Sequence, residues 1–272
     1  MEYLFLSDLD GSLLTDNEKK ITPDTMDALK LFVSKGGRFA ICTGRDLNSA
    51  KSVYNGLNVD FKGSFIVAYN GGLIYDVDKK EVIYRVGIEP SLVEEIFNMA
   101  REYEIYVQTY NDDFILSERY CDCLEFYRKV IKTPVILHST VMPFVNVPPC
   151  KIICIELHDH EKQERFRKAV IEKYGDILNL MYSNDYYLEL IPKESGKGSA
   201  LLRLRDYLNI PAENVIACGD GDNDLEMIKY AGLGIGMING SDNVKAAADV
   251  VTETDNNNDG LAPILRSFIG KE

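Results

Sequence analysis

The sequence predicts an α/β fold: a doubly wound, mostly parallel sheet interrupted by an inserted α+β domain. Three observations carry this. Short continuous apolar runs, the mark of buried parallel strands, alternate with helical periodicity at both ends of the chain. From about residue 82 the rhythm changes to adjacent strands joined by turns. Near residue 189 the alternation resumes. Alternating strands and helices imply right-handed crossovers within one sheet. Residues 1–82 and 189–272 are therefore read as one domain and residues 83–188 as a second domain inserted into it. The 272 residues suffice for one or two domains with a core large enough for stable folding.

The elements follow in order. Residues 3–7 read as a strand. Residues 23–33 read as a helix, with Thr22 at the N-cap and Pro23 at the first helical position; Gly36 and Gly37 end it. Residues 38–42 are a strand, 46–54 a helix, and 65–68 a strand that stops at Asn70-Gly71-Gly72. Inside the insert, 83–86 read as a strand and 92–103 as a helix. Residues 105–110 and 114–116 form a hairpin across Asn111-Asp112-Asp113. A helix near 120–131 precedes a Pro-rich loop at 143–149. Then come a strand at 151–157, an amphipathic helix at 162–174, and strands at 178–182 and 187–191. Hairpin-joined strands of this kind imply a mostly antiparallel sheet with helices on one face. Helix 197–208, strand 214–218, helix 224–231, strand 233–236, helix 242–248 and strand 250–251 complete the chain.

A formal net charge of −13 argues against a nucleic-acid partner, which would need basic surface, and favours solubility. Any site for an anion must then be locally positive; a bound cation with Arg45 and Lys197 would supply this. The six cysteines are Cys42, Cys121, Cys123, Cys150, Cys154 and Cys218. No pair has zinc-site spacing, and Cys121-x-Cys123 has no partner cluster in the sequence. Cys42 and Cys218 lie in apolar strand-like runs and read as buried free thiols. The first strand begins at once, without a signal peptide, and no apolar segment is long enough to span a membrane. The expected location is the cytoplasm, with no membrane partner. Nothing in the sequence sets an oligomeric state.

Chemistry concentrates at strand ends. Residues 3–7 lead directly into Asp8-Leu9-Asp10-Gly11-Ser12. Ligands of open α/β sheets bind beyond the carboxyl ends of the strands. Residues two apart address the same side, so both aspartates can serve one site. Two carboxylates this close repel, and a divalent cation or a phosphoryl substrate would justify them. The plain alternative is an Asp-Gly turn. Thr43 and Gly44 end a strand and suit phosphate oxygens, or a helix cap and turn. Arg45 is read as a contact to substrate or to an inter-domain carboxylate. Lys197 stands at a helix start, where a cation opposes the helix dipole; this is a reason to suspect function, although a solvated lysine is the ordinary case. Gly219-Asp220-Gly221-Asp222-Asn223-Asp224 crowds carboxylates at another strand end, fit for Mg2+ or for helix capping. The three histidines, His138, His158 and His160, are left unassigned.

These motifs occur in the order found in the haloacid dehalogenase superfamily. Asp8-Leu9-Asp10-Gly11-Ser12 resembles its first motif and Ile41-Cys42-Thr43-Gly44-Arg45 its second. Lys197-Gly198 resembles the third, and Gly219 to Asp224 the fourth. The chain is most similar to the Cof-type branch, also through Tyr69-Asn70-Gly71-Gly72 and Asp249-Val250-Val251-Thr252, with Ser12 where Thr is usual. The resemblance implies a Rossmann-like core with an inserted cap, and a Mg2+-dependent phosphatase of small phosphorylated metabolites (sugar or cofactor phosphates) acting through an aspartyl-phosphate. It implies Asp8 as nucleophile and Asp10 as general acid, then base. Leu9, Thr43, Gly44, Lys197 and Asn223 would bind phosphate, and Asp8, Asp10, Asp220 and Asp224 would serve the metal site. A phosphomutase of the same superfamily is the alternative; the phospho-accepting signalling domain, a further rival, is a much shorter chain.

Overall fold

A computed structural model describes residues 2–59 and 61–269 of the chain. The N-terminal strand β1 (Leu4–Ser7) is buried along its whole length. Helix α1 (Pro23–Ser34), strand β2 (Arg38–Cys42), helix α2 (Leu47–Gly56) and strand β3 (Phe65–Ala68) follow. Thr22 stands at the α1 N-cap with extended backbone, but its side chain makes no capping bond. A short turn leads to β4 (Leu73–Asp76) and β5 (Glu81–Arg85).

The next stretch comprises α3 (Pro90–Glu102), β6 (Tyr106–Tyr110), β7 (Ile115–Ser117), α4 (Asp122–Val130), β8 (Val135–Leu137), β9 (Ile152–Ile155), α5 (His160–Tyr174), β10 (Leu178–Tyr182) and β11 (Tyr187–Pro192). The chain closes with α6 (Lys197–Leu208), β12 (Val215–Gly219), α7 (Leu225–Tyr230), β13 (Leu233–Gly236), α8 (Asp242–Ala247), β14 (Val250–Val251) and α9 (Ala262–Ile269). The fold is a mixed α/β one with a mostly parallel main sheet, as expected.

Two compact units result. One holds the residues up to Asp46, Ala50–Tyr84 and everything from Gly196 onward; the other holds Leu47–Ser49 and Arg85–Ser195. β11 runs on to Pro192, so a junction drawn at 188/189 would fall inside a strand.

The first unit contains an eight-stranded sheet in the order β14-β13-β12-β1-β2-β3-β4-β5. β1 pairs in parallel with both β2 and β12, so successive connections depart to opposite sides of it. That reversal is the topological switch at which open α/β sheets bind ligands. Both faces are covered. Leu4 and Leu6 join Ala200, Leu201 and Leu204 of α6 in one core cluster. Phe5, on the other face, packs against Phe32 and Phe39. Each such side chain contributes about 1.5–3 kcal/mol on burial, which is why these strands read as continuous apolar runs.

The structure departs from the sequence reading at β4, β5 and α9. β4 was not foreseen; it pairs antiparallel with β3 after a turn in which Tyr69, Asn70 and Gly71 all take positive φ. β5, expected to open the insert, instead ends the main sheet. α9 was also unforeseen; it packs on α1, and its Ala262 and Leu265 are buried, a pair too short as a helical signal to stand out.

The second unit has a six-stranded sheet, β10-β11-β9-β6-β7-β8, antiparallel except for the β7–β8 pair. α3 and α5 bury Val93, Ile96, Phe97, Phe166 and Val170 with Val107, Ile152, Cys154, Leu188 and Leu190. The expectation of helices on one face is corrected by α4. Its Tyr127 meets Tyr110 and Tyr187, which alternation puts on the opposite face. That face carries a buried polar chain: the Tyr106 hydroxyl lies within hydrogen-bond distance of Gln108 Oε1 and Ser117 Oγ, and Gln108 Nε2 donates to Tyr110. Buried polar groups of this kind need partners and cover, which α4 provides. Among the described residues no helix is long and apolar enough to cross a membrane.

Candidate active site

Asp8 is the first residue beyond β1. Its N–H donates to Cys218 O at 2.9 Å, so the parallel ladder delivers it to the rim of the sheet. Thr43 stands at the same level after β2, and Asp220 after β12. The chain then turns sharply. Gly11 has φ +84°, and a Cβ there would lie 2.3 Å from Asp220 Oδ2. Glycine is required both for the conformation and for the approach of the two loops.

The centre of the site is a buried cation between two carboxylates. Lys197 opens α6 with only 2% of its surface exposed. Its Nζ lies 2.6 Å from Asp8 Oδ1 and 2.6 Å from Asp224 Oδ1. Burial alone would strip such an amine of its proton, but the two carboxylates outweigh it and raise the lysine above its ordinary value. Burial pushes the Asp8 carboxyl up to about 7, against the pull of Lys197 and with help from Asp224 and Asp220. Asp224 is fixed from its other side: Oδ2 accepts the N–H groups of Asp220 and Gly221, both at 3.0 Å.

Asp220 is also raised, chiefly by burial; Ser12 Oγ, donating to its Oδ1 at 2.7 Å, works in the opposite direction. The hydroxyl at position 12 thus supports a carboxylate across 208 residues of sequence. Ligand oxygens of Asp8, Asp220 and Asp224 all lie within 4.8 Å of one another. Three carboxylates without thiol or imidazole make a donor set for a hard divalent cation. Asp222 stays outside this group, where its carboxylate accepts from Ser241 Oγ at 2.7 Å.

Asp10 differs from the other expected metal residues. Its carboxylate is not in the three-oxygen group. It is gripped by Arg45 Nε and Nη2 at 3.0 and 2.8 Å on Oδ2, and by Lys19 Nζ at 2.9 Å. Burial pulls this carboxyl upward, yet Lys19 and Arg45 prevail and hold it below the usual carboxylate range. Arg45 therefore meets a carboxylate within its own unit. Lys19 was missed by sequence reasoning: a lysine in a polar loop carries no signal, and its backbone there is left-handed, with φ +52°.

The remaining expected residues are arranged around this centre. Thr43 is buried, and its Oγ1 accepts the Arg45 N–H at 3.3 Å. Gly44 passes the Asn70 side chain, which a Cβ would approach to 3.1 Å. Asn223 Nδ2 donates to Asn70 Oδ1 at 3.0 Å, linking the fourth motif to the turn after β3. Leu9 is fully buried. Gly71 has φ +92°, and a Cβ there would fall 2.1 Å from Gly196 O. This contact sets the backbone immediately before Lys197.

Comparison with known proteins decides the family. The sequence pattern of haloacid dehalogenase-like hydrolases matches residues 5–265. The chain belongs to that family. Among its relatives is the 5-amino-6-(5-phospho-D-ribitylamino)uracil phosphatase YwtE of Bacillus subtilis, 28% identical over 286 residues and covering 96% of each chain. A solved haloacid dehalogenase-like hydrolase from Bacteroides thetaiotaomicron superimposes with a TM-score of 0.88 at 29% identity, covering 98% of this chain and 100% of the other. The sugar phosphatase BT4131 shares the fold, with a TM-score of 0.75 at 20% identity over 98% of each chain.

Proposed function

We propose that the protein is a Mg2+-dependent phosphatase that hydrolyses small phosphorylated metabolites, sugar phosphates or cofactor phosphates, through an aspartyl-phosphate on Asp8. The observation that carries this reading is the buried Asp8 carboxylate held at 2.6 Å by Lys197, with Asp220 and Asp224 beside it. A bare carboxylate cluster would repel a phosphate dianion. Mg2+ held by Asp8, Asp220 and Asp224 would supply the neutralisation that in-line attack at phosphorus requires.

Each side chain then has a task. Lys197 keeps one Asp8 oxygen ionised and fixed, so that the other is directed outward as nucleophile. Asp8 Oδ attacks phosphorus, the ester oxygen leaves, and Asp10 is the donor of its proton. In the arrangement seen, Lys19 and Arg45 stabilise Asp10 as a carboxylate, so donation requires its release from them. Ionised Asp10 then takes a proton from the water that hydrolyses the acyl-phosphate. Thr43, Gly44, Asn223 and the Leu9 backbone are proposed to receive the phosphate oxygens, and Arg45 to contact substrate when it leaves Asp10.

A phosphate group offers few contacts, so selectivity must draw on binding beyond phosphorus. We assign that role to the inserted unit, as the family resemblance implies. The YwtE relative, named for a phosphorylated ribitylaminouracil, makes phosphorylated polyols on heterocycles worth including among candidate substrates. The test is phosphate release from a panel of sugar, flavin and pyridoxal phosphates, with Mg2+ and after its removal. The reading predicts turnover of at least one class only with Mg2+; full turnover in excess chelator contradicts it.

A further inference from the structure

The second unit brings His158 beside three donors that are consecutive in the sequence. Cys121 stands at the N-cap of α4, and Asp122 and Cys123 are its first two residues. One ligand atom from each of Cys121, Asp122 and Cys123 lies within 4.8 Å of the other two. Cys121 and Cys123 are both free thiols. Across 36 residues, from the loop after β9, His158 Nε2 reaches to 3.2 Å from Asp122 Oδ2. The imidazole is 77% exposed. His158 also lines a cleft of about 320 Å3 together with His160, Glu156 and Asp185, which offers an ion an acidic approach.

We propose that Cys121, Asp122, Cys123 and His158 form a site for a thiophilic divalent cation of the Zn2+ class, separate from the carboxylate cluster around Asp8. The donor chemistry selects the ion. Two sulfurs disfavour Mg2+ and Ca2+, whereas the carboxylate and imidazole favour Zn2+ over Cu(I). The geometry is compatible. Nitrogen and oxygen donors bonded at about 2.0–2.1 Å to one tetrahedral zinc stand roughly 3.3–3.4 Å apart. The 3.2 Å between Nε2 and Oδ2 is close to that edge. His158 lies outside the three-atom group, so a fourth donor requires its ring to turn toward the sulfurs while staying beside Asp122. An ion here would tie the start of α4 to the loop between β9 and α5, a clip within one unit.

The test uses the full chain, purified metal-free in a thiol reductant, with Mg2+ in excess to occupy the carboxylate cluster. Equilibrium dialysis against Zn2+ should find one tightly held ion per chain. Co2+ in its place should give a thiolate-to-metal charge-transfer band in the near ultraviolet. Cys121→Ser, which leaves one thiolate, should cut that band to about half and weaken Zn2+ binding at least tenfold, the lower end of what loss of even a supporting residue costs. His158→Ala, an exposed change that does not depend on refolding, should also weaken it at least tenfold. Asp8→Asn should leave it unaltered. Absence of Zn2+ binding by the reduced wild type, or equal binding by wild type, Cys121→Ser and His158→Ala, overturns the site.

Discussion

The Lys197 ammonium bridges Asp8 and Asp224, 2.6 Å from each, inside a site nearly closed to solvent. One cation thus holds the first residue after β1 against the first turn after β12. Lys197→Met should leave two buried carboxylates without their shared partner. Breaking a buried pair in this way costs about 3–5 kcal/mol, so thermal unfolding should move sharply downward. Added Mg2+ should recover part of the loss by binding only the folded state. An unchanged unfolding midpoint would mean the pair carries no net stability.

Asp10→Asn removes the proposed proton donor with little change of shape. Turnover should fall by roughly 10²–10⁴-fold, the usual range for general acid–base catalysis. The loss should shrink with p-nitrophenyl phosphate, whose leaving group needs no proton. Equal losses for that ester and for alkyl phosphates would remove the acid role from Asp10.

Gly71 lies in the turn after β3, yet its substitution should act on Lys197. A Cβ at Gly71 meets Gly196 O at 2.1 Å and must adopt φ +92°. The backbone strain alone costs about 1–3 kcal/mol. Gly71→Ala is therefore expected to lower both stability and kcat; a variant with wild-type kcat would show that Gly196 can move without displacing Lys197.

Ser12→Ala takes one hydrogen bond from Asp220. A bond to a charged group is worth about 1.5–3 kcal/mol, so Mg2+ affinity should weaken by roughly tenfold or more. Ser12→Thr keeps the hydroxyl and should retain the wild-type value. Titration of activity against Mg2+ concentration separates the three proteins.

Much of this architecture was legible because it rests on local signals. Leu4 to Ser7 is apolar because both faces of β1 are covered, and Asp8 follows because parallel strands end at the site. Lys197 and the Gly219–Asp224 run stood out as charges placed against helix-end preference or crowded together. What escaped depends on long-range closure. Lys19 reaches Asp10 through one left-handed residue, and the hydroxyl of Ser12 reaches Asp220 through the fold. β4 followed a turn of consecutive positive-φ residues that reads as plain loop. His158 meets Asp122 across 36 residues of sequence. Asp10 was expected at the metal from the family resemblance and its spacing from Asp8; its carboxylate instead has Lys19 and Arg45 as neighbours, the latter 35 residues away.

The central claim is that Asp8 itself carries the phosphoryl group. Rapid acid quench with labelled substrate, followed by peptide mass spectrometry, tests it directly. The account predicts a transient phosphate on Asp8, stable in acid, released by hydroxylamine, and absent from Asp8→Asn, which should be folded and inactive. Turnover by Asp8→Asn within about tenfold of wild type, or about 1.4 kcal/mol of barrier, would contradict it, as would label on any other residue.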